Sequence, residues 1–116
     1  MKKRRRSKRI RARVHITVRI QARNKETVYE ETDSLVVNAH GALILLGATV
    51  GRDQFLTVIN PKTNQELLAR VTAIGTRFMG KAQVGIEFIR PAPEFWGISP
   101  CPADWKAASA LVTNHS

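Results

Sequence analysis

The first 25 residues contain no Asp or Glu, and the first 28 contain no Phe, Tyr or Trp. Cysteine is nearly absent as well: Cys101 stands alone, between Pro100 and Pro102. A single thiol forms no disulfide within the chain, so the fold must rest on an apolar core, as expected in a reducing cytoplasm. In that proline-flanked setting the thiol reads as packed or simply exposed. No apolar run approaches the length needed to cross a bilayer. The basic N-terminal stretch is not followed by a continuous apolar segment, because Arg11, Arg13, His15, Thr17 and Arg19 interrupt it, so neither a signal peptide nor membrane insertion is expected.

Catalytic signatures are missing too. The chain has no Gly-x-Ser-x-Gly, no glycine-rich loop ending in Gly-Lys-Ser/Thr and no His-Glu-x-x-His. His15, His40 and His115 share no metal-ligand spacing, and Cys101 is remote in sequence from His15 and His40. His40 reads as a surface residue in a turn. Glu30, Glu31 and Asp33 could be assembled into an acid–base pair, but so could the carboxylates of any polar strand. The expectation is a binding protein, with no enzymatic activity, no cofactor and no metal.

What the chain does have is positive charge in one place. Nine of its nineteen Lys and Arg residues lie in the first thirteen positions, and the net charge is +10. From residue 14 onward ten Lys and Arg face nine Asp and Glu, close to neutrality. Residues 1–13 therefore form a basic arm, expected to be flexible through like-charge repulsion, and residues 14–116 form one domain. With 43% hydrophobic and 24% charged residues, that domain has enough apolar material for a core of its own. An arginine-rich arm suits an anionic partner, because the guanidinium forks onto phosphate oxygens or onto the O6/N7 edge of guanine. Nucleic acid is the less favoured partner: the arm offers phosphate contacts but no aromatic platform for bases.

The body reads as short strands. Val14, Ile16, Val18 and Ile20 alternate with polar residues, and Val84, Ile86 and Phe88 share a face near the other end of the series. Period two places both sets in the core. Thr27 to Val37 reads as a longer strand, with a bulge or bend expected near Glu30, Glu31 and Asp33. Asn38-Ala39-His40-Gly41 reads as a turn, in which Asn and Gly would tolerate positive φ. Ala42 to Leu46 and Gln54 to Ile59 are further strands, with breakers at residues 60–64. Leu67 to Ile74 fits strand or helix by pattern, and Val71, Thr72 and Gly75 favour strand. Phe95, Trp96 and Trp105, in a proline-punctuated tail, are expected to pack back onto the body. Residues 103–112 suit a short helix.

Three segments in order resemble a PilZ domain over most of the chain. Arg4-Arg5-Arg6-Ser7-Lys8-Arg9 is similar to that family's Arg-x-x-x-Arg entry. Val36-Val37-Asn38-Ala39-His40-Gly41 stands at the place of its Asp/Asn-x-Ser-x-x-Gly motif. Gln83-Val84-Gly85-Ile86-Glu87-Phe88 is similar to its closing Val-Gly-Ile-x-Phe strand. The resemblance implies an all-β, six-stranded antiparallel split β-barrel with a C-terminal helix. It also implies a bacterial signalling receptor for cyclic di-GMP, working through a protein partner whose identity the sequence does not give. Carried over by position, Arg5 and Arg9 would be the arginine pair, Arg4 an accessory cation, Asn38 a guanine contact and Gly41 the residue that holds the turn open. Val36 departs from the pattern by replacing Asp or Asn, and Asn38 departs by replacing Ser. The alternatives are a protein–protein adaptor of the same fold that binds no nucleotide, and a nonspecific nucleic-acid binder acting through the arm.

Overall fold

In the computed structural model, residues 8–22, 24–100 and 102–105 are described. Seven strands follow one another: β1 (Ile10–Arg11), β2 (His15–Gln21), β3 (Thr27–Asn38), β4 (Gly41–Leu46), β5 (Phe55–Asn60), β6 (Gln65–Phe78) and β7 (Lys81–Phe88). All pairings are antiparallel. The ladder runs β3-β2-β5-β6-β7-β4, and β4 pairs again with β3, which closes a six-stranded barrel. Closure removes the exposed sheet edges that an open sheet of this size would carry. Residues 103–105 are helical. No helix among the described residues is long and apolar enough to cross a membrane.

Alternation in the sequence becomes inside and outside of the barrel. Ile16, Val18 and Ile20 of β2 are buried with Val84, Ile86 and Phe88 of β7. Val14 precedes β2 and is only half-buried against the core. The register Val18↔Val58 and Ile86↔Val71 carries these rows across the barrel. A slip of one residue would turn each row into water. Phe95, Trp96 and Trp105 close one part of the core as expected. Phe95 lies edge-on to Trp96 with ring centroids 4.9 Å apart, and Phe88 stacks on Trp96 at 5.7 Å. Buried Asn60 fixes this tail, since its Nδ2 donates to the Phe95 carbonyl at 2.6 Å.

Several elements differ from the sequence expectation. The register between β2 and β3 is continuous through Glu30, Glu31 and Asp33, and the irregularity lies further on, between Ser34 and Val36 of β3. The acidic residues do not bend the strand because each has outside work. Glu30 accepts from the backbone N–H groups of Gly47 and Ala48 at 2.7 and 2.9 Å, while Glu31 and Asp33 flank His15. The short outer strand β1 was not expected at all. It pairs Ile10 with Val37 and Arg11 with Val36, on the edge of β3 that β2 has just left. Buried Ser34 bridges the interruption: its hydroxyl donates to the Ala12 carbonyl at 2.6 Å and accepts from the Val14 N–H at 2.9 Å. The second half of the basic arm therefore lies along the barrel.

Candidate functional site

The outer surface of β3, β4, β7 and β6 is hollowed into a cleft of about 450 Å³. Cross-strand register builds its floor, because Val36 pairs with Leu43, Leu43 with Gly85, and Gly85 with Ala73. Small residues at the last two positions leave the depression. β6 bulges between Val71 and Ala73, and the extra residue, Thr72, joins the lining. Bulges commonly re-aim a side chain in this way. A methyl added at Gly85 would come within 3.2 Å of the Thr72 hydroxyl and begin to fill the floor.

One end of the cleft is the β3–β4 turn. Asn38 Oδ1 accepts from the His40 N–H at 2.9 Å, so the side chain shapes its own turn. The rest of the turn is pinned from behind. The Trp96 indole N–H donates to the Asn38 carbonyl at 3.0 Å, Ala92 N–H to the Ala39 carbonyl at 2.7 Å, and Phe88 N–H to the His40 carbonyl at 2.7 Å. Gly41 is needed for a reason other than the expected one. Neither Asn38 nor Gly41 has positive φ. Instead Gly41 lies so close to β7 that a Cβ would be driven into the Ile86 carbonyl oxygen.

The root of the arm borders the same cleft. Arg9 lines it, one residue before β1. The preceding residue is tied at both ends of its peptide unit: Lys8 N–H donates to Asp104 at 2.8 Å, and its carbonyl accepts from the Trp105 indole N–H at 2.6 Å. The C-terminal segment thus holds both the turn and the arm root. Arg9 and Glu87 are the charged residues lining the cleft among those described. The Glu87 carboxylate is paired with Arg70 at 3.1 Å, and Arg70 also reaches Asp53 at 2.7 Å.

Of the residues singled out by sequence, Arg9, Asn38 and Gly41 meet at this cleft. Arg4 and Arg5 lie outside the described residues. Val36, which departs from the resembled pattern, also lines the cleft and brings no hydrogen-bonding side chain to it. His40, Thr72, Ala73 and Glu87 were not singled out as cleft residues. Their signal was thin: Glu87 is the unspecified position within Val-Gly-Ile-x-Phe, and Thr72 reaches the cleft only through a bulge. Among the described residues no group of three His, Cys, Asp or Glu could hold a metal ion.

No family model and no curated protein matches the chain. A solved structure does: that of the Bacillus subtilis inhibitor of motility, MotI/DgrA, superposes with a TM-score of 0.59 at 18% sequence identity. The match covers 97% of this chain and 51% of that one, so the chain spans about half the length of its structural neighbour. Barrel closure, strand order and this likeness together identify the fold as PilZ-like.

Proposed function

We propose that this chain is a non-catalytic cyclic di-GMP receptor acting in the cytoplasm, with the cleft on β3, β4, β7 and β6 as its nucleotide site. The observation that carries this reading is the meeting of Arg9 with Asn38 and Gly41, from segments far apart in sequence, on one concave surface. The cleft volume lies within the range of small-molecule sites, about 300–1,000 Å³. An uncharged floor that includes Leu43, Gly85 and Ala73 suits an aromatic base, and Arg9 in the lining suits a phosphate or a guanine edge. Arg5, with Arg4 as accessory, would complete the cationic clamp around a dianion. The signal would pass to a protein partner. The structural neighbour is named as an inhibitor of motility, and that supports a regulatory role of this kind.

A second reading has its own observation. Val36 cannot hydrogen-bond, and Glu87 places a carboxylate in the cleft. One lost hydrogen bond to a buried ligand group costs about 1–3 kcal/mol, or about 5- to 150-fold in affinity. That favours a weak receptor, or an adaptor of the same fold that uses its surface without nucleotide.

Calorimetric titration with cyclic di-GMP, with cyclic di-AMP as control, separates the two. The receptor reading expects heat with the guanine nucleotide alone and a loss of it in Arg9→Ala without a change in melting temperature. It also expects tighter binding in Val36→Asp/Asn38→Ser. No heat in either the natural protein or that double variant leaves the adaptor. A nonspecific polyanion binder would instead show salt-steep binding without base preference.

A further inference from the structure

The hairpin joining β6 and β7 is not used by the cleft. Beyond the pairing of β7 with β4, which ends at Leu46↔Ala82, the hairpin has no flanking strand among the described residues. From Ala73 to Lys81 every residue is exposed. At the tip stand Phe78, 77% exposed, and Met79, 86% exposed, the most exposed large apolar side chains among the described residues. Exposed apolar side chains scattered singly need no explanation, but two adjacent ones on a projecting turn do.

Two further features argue that the tip is built for contact. Met79 has φ +54, followed by Gly80 at +82, so a bulky residue occupies a left-handed position that Gly or Asn would fill with less strain. Arg77 then holds the tip in one shape. Its guanidinium donates to the Gly80 carbonyl at 2.8 Å and to the Gly47 carbonyl at 2.7 Å. Rigid apolar anchors bind with little ordering cost. Charge at the tip is one-sided as well: the exposed hairpin from Ala73 to Lys81 carries Arg77 and Lys81 and no acidic residue.

We propose that the β6–β7 tip is the docking anchor for a protein partner that offers an apolar pocket rimmed by acidic side chains. This rests on the reading that the barrel acts through a protein partner, and not on nucleotide binding. A lipid surface is the weaker match, since firm attachment to a bilayer takes more apolar material than two side chains. A few central anchors are, by contrast, the usual basis of a protein interface. A second copy of the chain is disfavoured because tip-to-tip contact would bring Arg77 and Lys81 of one copy against the same cations of the other.

The test uses the full chain in cells with a photoreactive benzophenone side chain at Phe78, and the same group at exposed Lys62 as control. The expected result is a protein adduct formed at Phe78 and not at Lys62. That protein, once identified and purified, is then titrated against the natural chain, Phe78→Ser/Met79→Ser and Phe78→Leu. The double serine variant should bind about thirtyfold more weakly or worse. Phe78→Leu should retain most of the affinity, and both variants should melt like the natural chain. The proposal is overturned by an adduct that is this chain itself, by no adduct particular to Phe78, or by equal affinity of the double serine variant. It is also overturned if phosphatidylglycerol vesicles alone bind the natural chain and not that variant. The calorimetric titration with cyclic di-GMP reads none of these outcomes, so either proposal fails without the other.

Discussion

The β3–β4 turn and the β6–β7 turn are both hairpin ends in one barrel, and they are built in opposite ways. The first is backed by buried aromatic rings and pinned by hydrogen bonds from Trp96, Ala92 and Phe88. Its glycine is enforced by a neighbouring strand. The second stands in water, with a strained Met79 at its apex and Arg77 as its brace. A turn held by core packing is a fixed platform for a small ligand. A turn held by its own surface arginine presents side chains outward at little cost to the core. The difference teaches that the two ends can be altered separately, one through stability and the other through contact.

The largest effect should come from breaking the backing of the first turn. Trp96→Ala removes a buried indole and the donor to Asn38, and should cost about 3–5 kcal/mol in denaturant unfolding. Phe78→Ser, at the other turn, should leave the same curve in place. Equal losses at the two turns would erase the contrast.

Next comes the tie between the C-terminal segment and the arm root. Trp105→Phe keeps most of the buried ring but loses the bond to the Lys8 carbonyl, leaving that partner to water, at about 1 kcal/mol. Amide exchange should rise at residues 9–12 and stay unchanged in β5. If Arg9 works from a fixed root, nucleotide affinity should fall with it.

A change of similar size and opposite sign is expected at the second turn. Met79→Gly relieves the left-handed strain and should stabilise the domain by about 1 kcal/mol, read as a raised melting temperature. The natural residue would then be shown to hold its place against stability, as a contact residue does.

The smallest effect is electrostatic and lies at neither turn. His15 is held between Asp33 at 3.1 Å and Glu31 at 3.0 Å, and its hydrogen bond to Asp33, then that to Glu31, raises its pKa above the ordinary 6.5. A raised folded-state pKa stabilises fully below the unfolded value, and that stabilisation is lost as pH rises through the folded one. The melting temperature should therefore decline slightly as pH rises above about 6.5 and through the raised folded value, and His15→Gln should flatten that decline. The His15 side chain is more than half exposed, so solvent screens the effect.

Period and punctuation made most of the barrel legible. Val18 and Val84 announce inward faces by alternation, and Asn60-Pro61 announces a turn. β1 was hidden because two residues carry no period, and its reason is Ser34, whose bridging role is visible only once Ala12 and Val14 lie beside it. The far half of β6 was hidden for the opposite reason. Residues 73–78 are exposed throughout, so no alternation marks them, and Gly75 read as an end. At the site, Arg9, Asn38 and Gly41 could be named from the resemblance. Thr72 and Glu87 could not, because only the sheet register brings them to the cleft. The reason for Gly41 was not legible either, since close strand approach leaves no mark on the sequence around it.

The central claim is that the platform end, and not the projecting end, receives a guanine nucleotide. Backbone amide shifts recorded while cyclic di-GMP is added test it residue by residue. The account predicts shifts at Arg9, Asn38, Gly41 and Gly85, none at Phe78, Met79 or Gly80, and none anywhere with cyclic di-AMP. Shifts centred on the β6–β7 tip would contradict it, as would their absence in both the natural protein and Val36→Asp/Asn38→Ser.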